Sequence, residues 1–401
     1  MKKRMIIFSL LSVMLLSSIT GCSNCKEKKG DSSESIGSSQ YIERFSTDEI
    51  NSLDDDKLNA NKVTTLDDIV LNSGVKINAE VDMPNELVDQ VEVVEIEPWI
   101  CEKEVVKNYF IKDKKISNVI EFEPYPFVEG FMGETYELEN GFILSFDTGR
   151  VTYTSPDISE YLSVFRKDIS DNLCNSLSFV DKKEFDFMSE ADAYKEIRKV
   201  LSSIDVTVED EYLCYYLDFN TLNEEQDKIN RQYGLNNIKK WEEKDNGYWF
   251  SLKSTLDSKR LSSLPTGSVQ NGTYVPGTSI DILYTESAIV YFSVDNYYKL
   301  LSDKAIVDVE INTIDKLIEC VDEKYSRLII EESYTVTKIE YCYAAIPLNE
   351  MDVLFELTPC WFVTIRSDGC VEKNGSIYSD TYNFNIIFNA LTGKEIIIDN
   401  G

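Results

Sequence analysis

Three segments with the apolar spacing of a helix are each followed by a series of short strands, and this recurrence constrains the fold more than any other feature. The helices are predicted to begin near Cys101, Ser189 and Thr313. Apolar residues recur there every three or four positions, which is typical of a helix with one buried face. Alternation of apolar and polar residues in the segments between them, and earlier at residues 75–81, indicates half-buried strands. This order predicts an α+β fold of antiparallel sheets with helices packed on one face.

Two of the three units end on a similar hairpin, which supports interpreting them as a repeated helix–strand–strand–strand unit. One hairpin covers residues 146–151 and the other residues 388–394; each has a glycine before a basic residue, at Gly149 and at Gly393. Glycine supplies the positive φ that such a turn requires. Chance similarity is the alternative to a true repeat. We predict three α+β regions, covering residues 62–188, 189–305 and 306–401.

The C-terminal region, residues 306–401, resembles PepSY-type (cystatin-like) modules, because a helix and strands lead to the ending FNALTGKEI at residues 388–396. It also resembles extracytoplasmic regulators of the YycH/YycI type, whose modules end in a similar hairpin. The likeness covers residues 311–399, with a fainter echo at residues 189–294. The whole layout is similar to uncharacterised clostridial (Firmicutes) lipoproteins. The resemblance implies a non-catalytic role, either inhibition of a protease or modulation of a membrane sensor.

The first 22 residues predict a bacterial lipoprotein signal. Residues 2–4 are basic, residues 5–16 are almost entirely apolar, and small residues then lead to Cys22. The apolar run is too short to cross about 30 Å of hydrocarbon, for which about 20 residues are needed, so it indicates a cleaved signal peptide. Residues 19–22 resemble a lipobox, in which the cysteine becomes the first residue and carries the lipid. We predict a signal peptide at residues 1–21 and lipidation of Cys22; an ordinary secreted protein is the alternative.

The segment that follows the predicted cleavage site is interpreted as a tether. Residues 22–61 are rich in Ser, Gly and charged residues and poor in apolar ones, which is typical of a flexible linker. Acyl chains on Cys22, carried as diacylglycerol and palmitate, would hold the body at the membrane, and stable attachment needs more than one chain. The predicted location is therefore extracytoplasmic, at the cell membrane.

Composition excludes several classes of function. The chain has 71 Asp and Glu residues against 40 Lys and Arg, with a formal charge of −31, and such a surface repels nucleic acid. It contains no histidine, which removes Ser–His and Cys–His nucleophile pairs and histidine zinc sites together. We therefore predict no catalytic residues, no cofactor, no metal site and no nucleic-acid partner.

The nine cysteines leave two interpretations open. Besides Cys22 and Cys25, seven lie in the body of the chain, several of them in apolar strand-like runs where a thiol behaves as a small core residue. Buried thiols are favoured. Because export permits disulfides, one disulfide among Cys342, Cys360 and Cys370 is the alternative.

The remaining motifs point to no specific chemistry. The sequence from Asp218 to Asn220 begins like a calcium-binding loop, but glycine and glutamate are missing where that loop needs them, so we reject it. Core packing is favoured over a binding groove for the tryptophans, which are Trp99, Trp241, Trp249 and Trp361. We predict a non-enzymatic binding or regulatory lipoprotein whose partner is a membrane sensor protein or a peptide. A solute- or glycan-binding lipoprotein and a carboxylate-dependent cell-wall hydrolase are the alternatives.

Overall fold

The structure is a computed structural model of the 401-residue chain. The residues that it describes are 64–83, 91–124, 128–165, 176–234, 239–264, 266–268, 273–275, 277–301, 305–307, 313–328, 332–348, 354–373 and 376–396. The predicted signal peptide, the lipidation site Cys22 and the predicted tether lie outside the described residues.

The described strands, in chain order, are β1 (Thr64–Val70), β2 (Lys76–Asp82), β3 (Val91–Pro98), β4 (Ile116–Phe122), β5 (Gly133–Leu138), β6 (Ile143–Asp147), β7 (Arg150–Thr154), β8 (Thr207–Leu217), β9 (Gly247–Leu256), β10 (Lys259–Arg260), β11 (Thr266–Ser268), β12 (Thr273–Val275), β13 (Ser279–Thr285), β14 (Ala288–Asp295), β15 (Tyr298–Leu300), β16 (Ala305–Val307), β17 (Ser333–Pro347), β18 (Phe355–Lys373), β19 (Ser376–Asn389) and β20 (Glu395–Ile396). The described α-helices are α1 (Lys103–Phe110), α2 (Ile158–Val164), α3 (Glu190–Ser203), α4 (Phe219–Tyr233) and α5 (Ile314–Ser326).

The strands form two large sheets. The first sheet has the order β1-β2-β17-β18-β19-β20, with β3 also on β18 and with β15 and β16 paired to β3. The second sheet runs from β8 through β9, β13, β14, β7, β6 and β5 to β4, and the short β10 folds back on β9. Strand pairs are antiparallel except for the parallel pair of β2 and β17. The α+β fold with antiparallel sheets, predicted from the sequence, is confirmed.

Strand pairing crosses the boundaries between the predicted regions. Val294 of β14 pairs with Val151 of β7, which joins region 189–305 to region 62–188. Leu357 of β18 pairs with Val94 of β3, which joins region 306–401 to region 62–188. The three regions stay a prediction about chain segments, but each sheet is built from more than one of them.

Helices cover more than the single face that the sequence predicts. One hydrophobic core unites residues of both sheets with α1, α3 and α5, through side chains such as Phe110, Ile197 and Leu317. On the second sheet, Phe250 faces this core while its neighbour Trp249 faces the other way. That opposite face is also apolar and is covered by α2 and α4, so the second sheet has helices on both faces.

Several local predictions are confirmed at the level of single residues. Burial alternates along β2 as the pattern of apolar residues predicts. Helix α3 begins after Ser189, whose hydroxyl accepts a hydrogen bond from the backbone N–H of Asp192 at 3.2 Å. Gly149 and Gly393 both have positive φ, of 69° and 67°, in the two hairpin turns. Capping and turn chemistry act over a few residues, which is why the sequence alone predicts them well.

The predicted repeat is only partly regular in the structure. Helix α1 is followed by β4 to β7, and α5 is followed by β17 to β20. In the middle region, α4 lies between β8 and β9. The helix-then-strands order therefore recurs at both ends, and an additional helix interrupts it in the middle.

Candidate functional site

Charged side chains from both sheets meet around the buried Arg260, at a cluster that we call the inter-sheet junction. The first sheet contributes residues from β2 and β17, and the second sheet contributes residues from β8, β9 and β10. Its members are Asp82, Glu209, Lys253, Arg260, Lys338 and Glu340. Arg260 lies at its centre and is only 7% exposed.

Distances in the inter-sheet junction are those of strong ion pairs. Arg260 Nη1 lies 2.7 Å from Asp82 Oδ1, and Arg260 Nε lies 2.6 Å from Glu209 Oε1. Lys253 Nζ contacts the other oxygen of Asp82 at 2.7 Å. Burial opposes ionisation of Asp82, but the hydrogen bonds from Lys253 and Arg260 outweigh it and hold the pKa of Asp82 below its usual value.

The inter-sheet junction is arranged to hold the two sheets together. Its three carboxylates are matched by two lysines and one arginine, so no formal charge is left over for a charged ligand. Glu209 Oε2 is buried without a hydrogen-bond partner within the described part of the chain, which costs stability and does not by itself make a binding site. Within the described residues, no group of three or more His, Cys, Asp or Glu is arranged to hold a metal ion.

The other motifs considered from the sequence are part of the framework. Asp218 accepts a hydrogen bond from the backbone N–H of Thr221 at 3.3 Å and so caps α4. It also pairs with Lys183. All four tryptophans are buried, and the most exposed of them, Trp99, is only 6% exposed. These indoles are therefore core residues and are not available to line an open groove.

The structure shows free thiols at Cys101, Cys214, Cys320, Cys342 and Cys360, and three of them, Cys101, Cys342 and Cys360, are buried, as the favoured interpretation predicts. Burial raises the pKa of the Cys101 thiol to about 12 and that of Cys342 well above its usual value. A buried thiol with a raised pKa is a poor nucleophile. Cys342 lies directly opposite Cys360 in the pairing of β17 and β18. The backbone of Cys370 is ten residues further along β18, about 33 Å from Cys360 at the usual rise per residue.

Strand β4 is unlike every region described above, because it is apolar, exposed and at the edge of its sheet. Among the described residues its strand partner is β5 alone. The side chains of Ile116, Val119 and Ile120 are 45%, 47% and 44% exposed. We refer to this strand, residues 116–122, as the β4 edge. An edge strand presents unpaired backbone N–H and C=O groups, and apolar side chains beside them make it a template for another strand.

Both faces of the β4 edge are open. The register shifts between Ile116 and Asn118, which marks a β-bulge at Ser117. Beyond the bulge, Val119 pairs with Tyr136 and Ile120 pairs with Thr135. Since successive side chains alternate, Val119 lies on the face of the buried Tyr136 ring and Ile120 lies on the opposite face. Exposure on both faces shows that β4 extends past the packed core.

Opposite charges lie at the two ends of the β4 edge. Lys112 and Lys115 precede the strand, and Glu121 and Glu123 lie at its C-terminal end; all four are exposed. Lys115 Nζ is 3.5 Å from Glu139 in a solvent-exposed pair. Natural edge strands are protected by charges, prolines and bulges. Here the strand itself carries one charge, Glu121, and one bulge, and it contains no proline.

Strand β4 is not among the features predicted from the sequence, which in this part of the chain include only the helix that begins near Cys101. The sequence ISNVIEF is rich in β-branched residues, which favour strands. Val119 and Ile120 are adjacent apolar residues on opposite faces of the strand, so apolar and polar residues do not alternate. β-Propensity, rather than alternation, was the signal that could have found this strand.

Comparisons with known proteins bear on the fold alone. No protein-family model matches the chain, and no curated protein matches it. Among solved structures, the chain is similar to the crystal structure of an uncharacterized protein from Eubacterium rectale ATCC 33656, with a TM-score of 0.65 and 15% identity. That match covers 82% of this chain and 92% of the other. At this identity the likeness shows that the two proteins share an α+β fold.

Helices in the described part of the chain are all too short or too polar to cross a bilayer. The resemblance of the C-terminal region to PepSY-type modules stays a prediction, and so does the lipoprotein family.

Proposed function

We propose that this protein is a membrane-anchored extracytoplasmic lipoprotein without enzymatic activity, and that it binds another polypeptide chain through the β4 edge. The observation that carries the proposal is the exposure of three aliphatic side chains on a strand that has a single strand partner among the described residues. Soluble proteins seldom leave such an edge open, because it invites pairing with other chains. An open apolar edge is therefore explained most simply as a binding surface.

Strand addition is the form of binding that this surface supports. The backbone of an incoming extended segment would hydrogen-bond to the free side of β4, which gives affinity that is independent of sequence. Side chains of the segment would alternate between the face of Val119 and the face of Ile120, and these contacts would give selectivity. Because β4 is exposed on both faces, an added strand can bury apolar area on each of them.

The anchor supports the choice of partner. If Cys22 carries acyl chains, residues 22–61 form a linker whose mean span is about 35 Å for a flexible chain. The body would then move close to the membrane surface, within reach of the outer parts of membrane proteins. A membrane sensor protein, or a peptide presented to it, is the regulatory target that we propose, apart from the chain that pairs with the β4 edge itself. The resemblance to extracytoplasmic regulators supports the same choice.

The two alternatives receive less support. A glycan-binding groove lined by tryptophan is not favoured, because the four indoles are core residues. A hydrolase that uses two carboxylates needs one with a raised pKa as the general acid. Hydrogen bonds and cations outweigh burial and lower the pKa of Asp82, Glu190 and Asp218. Burial, and then the charge of Glu319, raises the pKa of Asp315, but these two acids lie one turn apart on α5.

A position-specific cross-linking experiment tests the binding proposal. The full-length chain would be produced in its native cells with a photo-reactive amino acid at position 118, on the β4 edge, or at position 162, where Leu162 is exposed on α2. We expect one discrete cross-linked polypeptide from position 118 and none from position 162. Val119→Asp should abolish the product. Equal cross-linking at both positions, or no effect of Val119→Asp, would contradict the proposal.

Fractionation tests the anchor separately. We expect Cys22→Ala to move the full-length chain from the membrane fraction to the soluble or secreted fraction, because the acyl chains would have no site of attachment. Ser23→Ala is the matched control and should leave the distribution unchanged. Retention of the Cys22→Ala chain in membranes would show that the lipid anchor is absent or is not what holds the protein.

A further inference from the structure

The β4 edge is complementary to itself when it is turned end for end. Its start carries Lys112, Lys114 and Lys115 with one acid, Asp113, and is net positive, whereas its end carries Glu121 and Glu123. In an antiparallel pair of two such strands, the lysines of one copy lie beside the glutamates of the other at both ends. A parallel pair would instead place lysine beside lysine and glutamate beside glutamate.

We infer that the polypeptide bound at the β4 edge is a second copy of this chain, paired antiparallel through β4 about a two-fold axis. This inference rests on the proposed function of the β4 edge and names its partner. Two-fold symmetry requires a self-complementary surface. The charge pattern of the β4 edge meets that requirement, and the two second sheets would join into one continuous sheet.

The bulge limits which residues pair. Ser117 interrupts the regular strand, so the regular segment available for pairing is residues 118–122. In an antiparallel pair, residues opposite each other lie on the same face of the sheet. On one face of the joined sheet, one copy therefore contributes a set of three residues that lies opposite the same set in the other copy: Asn118, Ile120 and Phe122. Val119 and Glu121 form the second set, on the opposite face.

Such a dimer is weak in solution and stronger on a membrane. A contact confined to two short strands buries less than the about 1,200–2,000 Å² of a stable complex. The formal charge of −31 on each chain adds long-range repulsion between copies. Confinement of anchored copies to one surface raises their effective concentration, so association would depend on their density there.

A charge-exchange experiment tests the inference. One variant carries Glu121→Lys and Glu123→Lys, so that both ends of its β4 are basic; the other carries Lys112→Glu and Lys115→Glu, so that both ends are acidic. Each full-length chain, purified in mild detergent, would be measured by sedimentation velocity over a range of concentrations. A thermal unfolding curve for each variant checks that it is folded.

We expect the wild-type chain to form dimers and each variant alone to associate about tenfold more weakly, because like charges then meet at both ends. An equimolar mixture of the two variants should recover dimers, since lysine again meets glutamate at each end. As a matched control, Lys244→Glu, a substitution in the exposed pair of Lys244 and Glu242 outside β4, should leave the wild-type dimerisation unchanged.

Three results would overturn the inference. The first is that wild-type chains stay monomeric at every concentration. The second is that either variant alone dimerises as well as the wild type. The third is that the mixture of the two variants does not recover dimers. The proposed function would survive each of these results if position 118 still cross-links to a different polypeptide. It would fail together with the inference only if position 118 cross-links to nothing.

Discussion

The inter-sheet junction and the β4 edge both include strands of the second sheet, yet the first buries charged groups and the second exposes apolar ones. At the junction, charged groups are buried, and Arg260 contacts Asp82 and Glu209 at 2.7 and 2.6 Å. At the β4 edge, Val119 and Ile120 are exposed beside unpaired backbone. The junction is nearly complete within the chain itself, whereas no other described strand pairs with the free side of β4, and its apolar side chains are exposed. That difference is why we assign structure to one and binding to the other.

Removal of the central cation should break the inter-sheet junction and give the largest loss of stability. We expect Arg260→Met to lower the free energy of unfolding by about 3–5 kcal/mol, because Asp82 and Glu209 would lose their buried partner. Urea denaturation measures the change. Lys299→Met is the control: Lys299 Nζ is 2.6 Å from Glu97 in a half-exposed pair, and such pairs contribute about 0–1 kcal/mol. Equal losses in the two variants would mean that the junction does not hold the sheets together.

A turn within the second sheet should be nearly as sensitive. Gly149 has a φ of 69°, and a Cβ added there would lie 3.2 Å from the backbone oxygen of Tyr297. We expect Gly149→Val to cost about 1–3 kcal/mol in unfolding free energy through backbone strain and crowding. Gly130 also has a positive φ, but an added Cβ there would meet open space. Gly130→Val therefore introduces backbone strain without crowding, and the difference between the two variants measures the crowding at Gly149. A melting temperature that is unchanged by Gly149→Val would mean that the interior of the second sheet tolerates substitution as well as the β4 edge does.

The inter-sheet junction should also make stability depend on pH. Burial raises the pKa of Asp82, but its hydrogen bonds to Lys253 and Arg260 lower the pKa by more than burial raises it. The folded-state pKa of Asp82 therefore lies below the unfolded value. The stabilisation is therefore fully present above the unfolded pKa, about 4, and is lost as the pH falls through the folded-state pKa.

We expect the slope of unfolding free energy against pH, below about pH 4, to be shallower in Asp82→Asn than in the wild type. Denaturation at a series of pH values measures it. Asp186→Asn removes an acid that lies outside the junction and is the control. If both variants have the wild-type slope, Asp82 is not held in its charged form by the junction.

Substitution on the β4 edge should have the smallest effect on stability and a large one on association. We expect Ile120→Lys to change the free energy of unfolding by no more than about 0.5 kcal/mol, since the side chain is exposed. The same variant should lose binding at the β4 edge, because a charge would enter the apolar contact. Ile282→Lys in the buried part of the same sheet should instead prevent stable folding. A large loss of stability in Ile120→Lys would show that β4 is packed within its own chain.

The sequence predicts the local features of the fold and misses the site that we propose. The cap at Ser189, the hairpin glycines and the alternating burial of β2 depend on neighbours within a few residues, and each is confirmed. The β4 edge was not predicted because its adjacent apolar residues, Val119 and Ile120, lie on opposite faces and remove the alternation that marks a half-buried strand. The inter-sheet junction could not be found either, because a protein with 71 acidic residues offers far too many candidate pairs.

By itself, the sequence determined the class of the fold, the positions of most helices and several strands and turns, and it excluded histidine chemistry. Only the tertiary structure decided which strands meet. Val336 of β17 lies beside Ile77 of β2 although about 260 residues separate them, and Arg260 joins strands from both sheets. The physical reason is range: capping, turn geometry and periodicity act between near neighbours, whereas sheet order and edge exposure follow from how the whole chain packs.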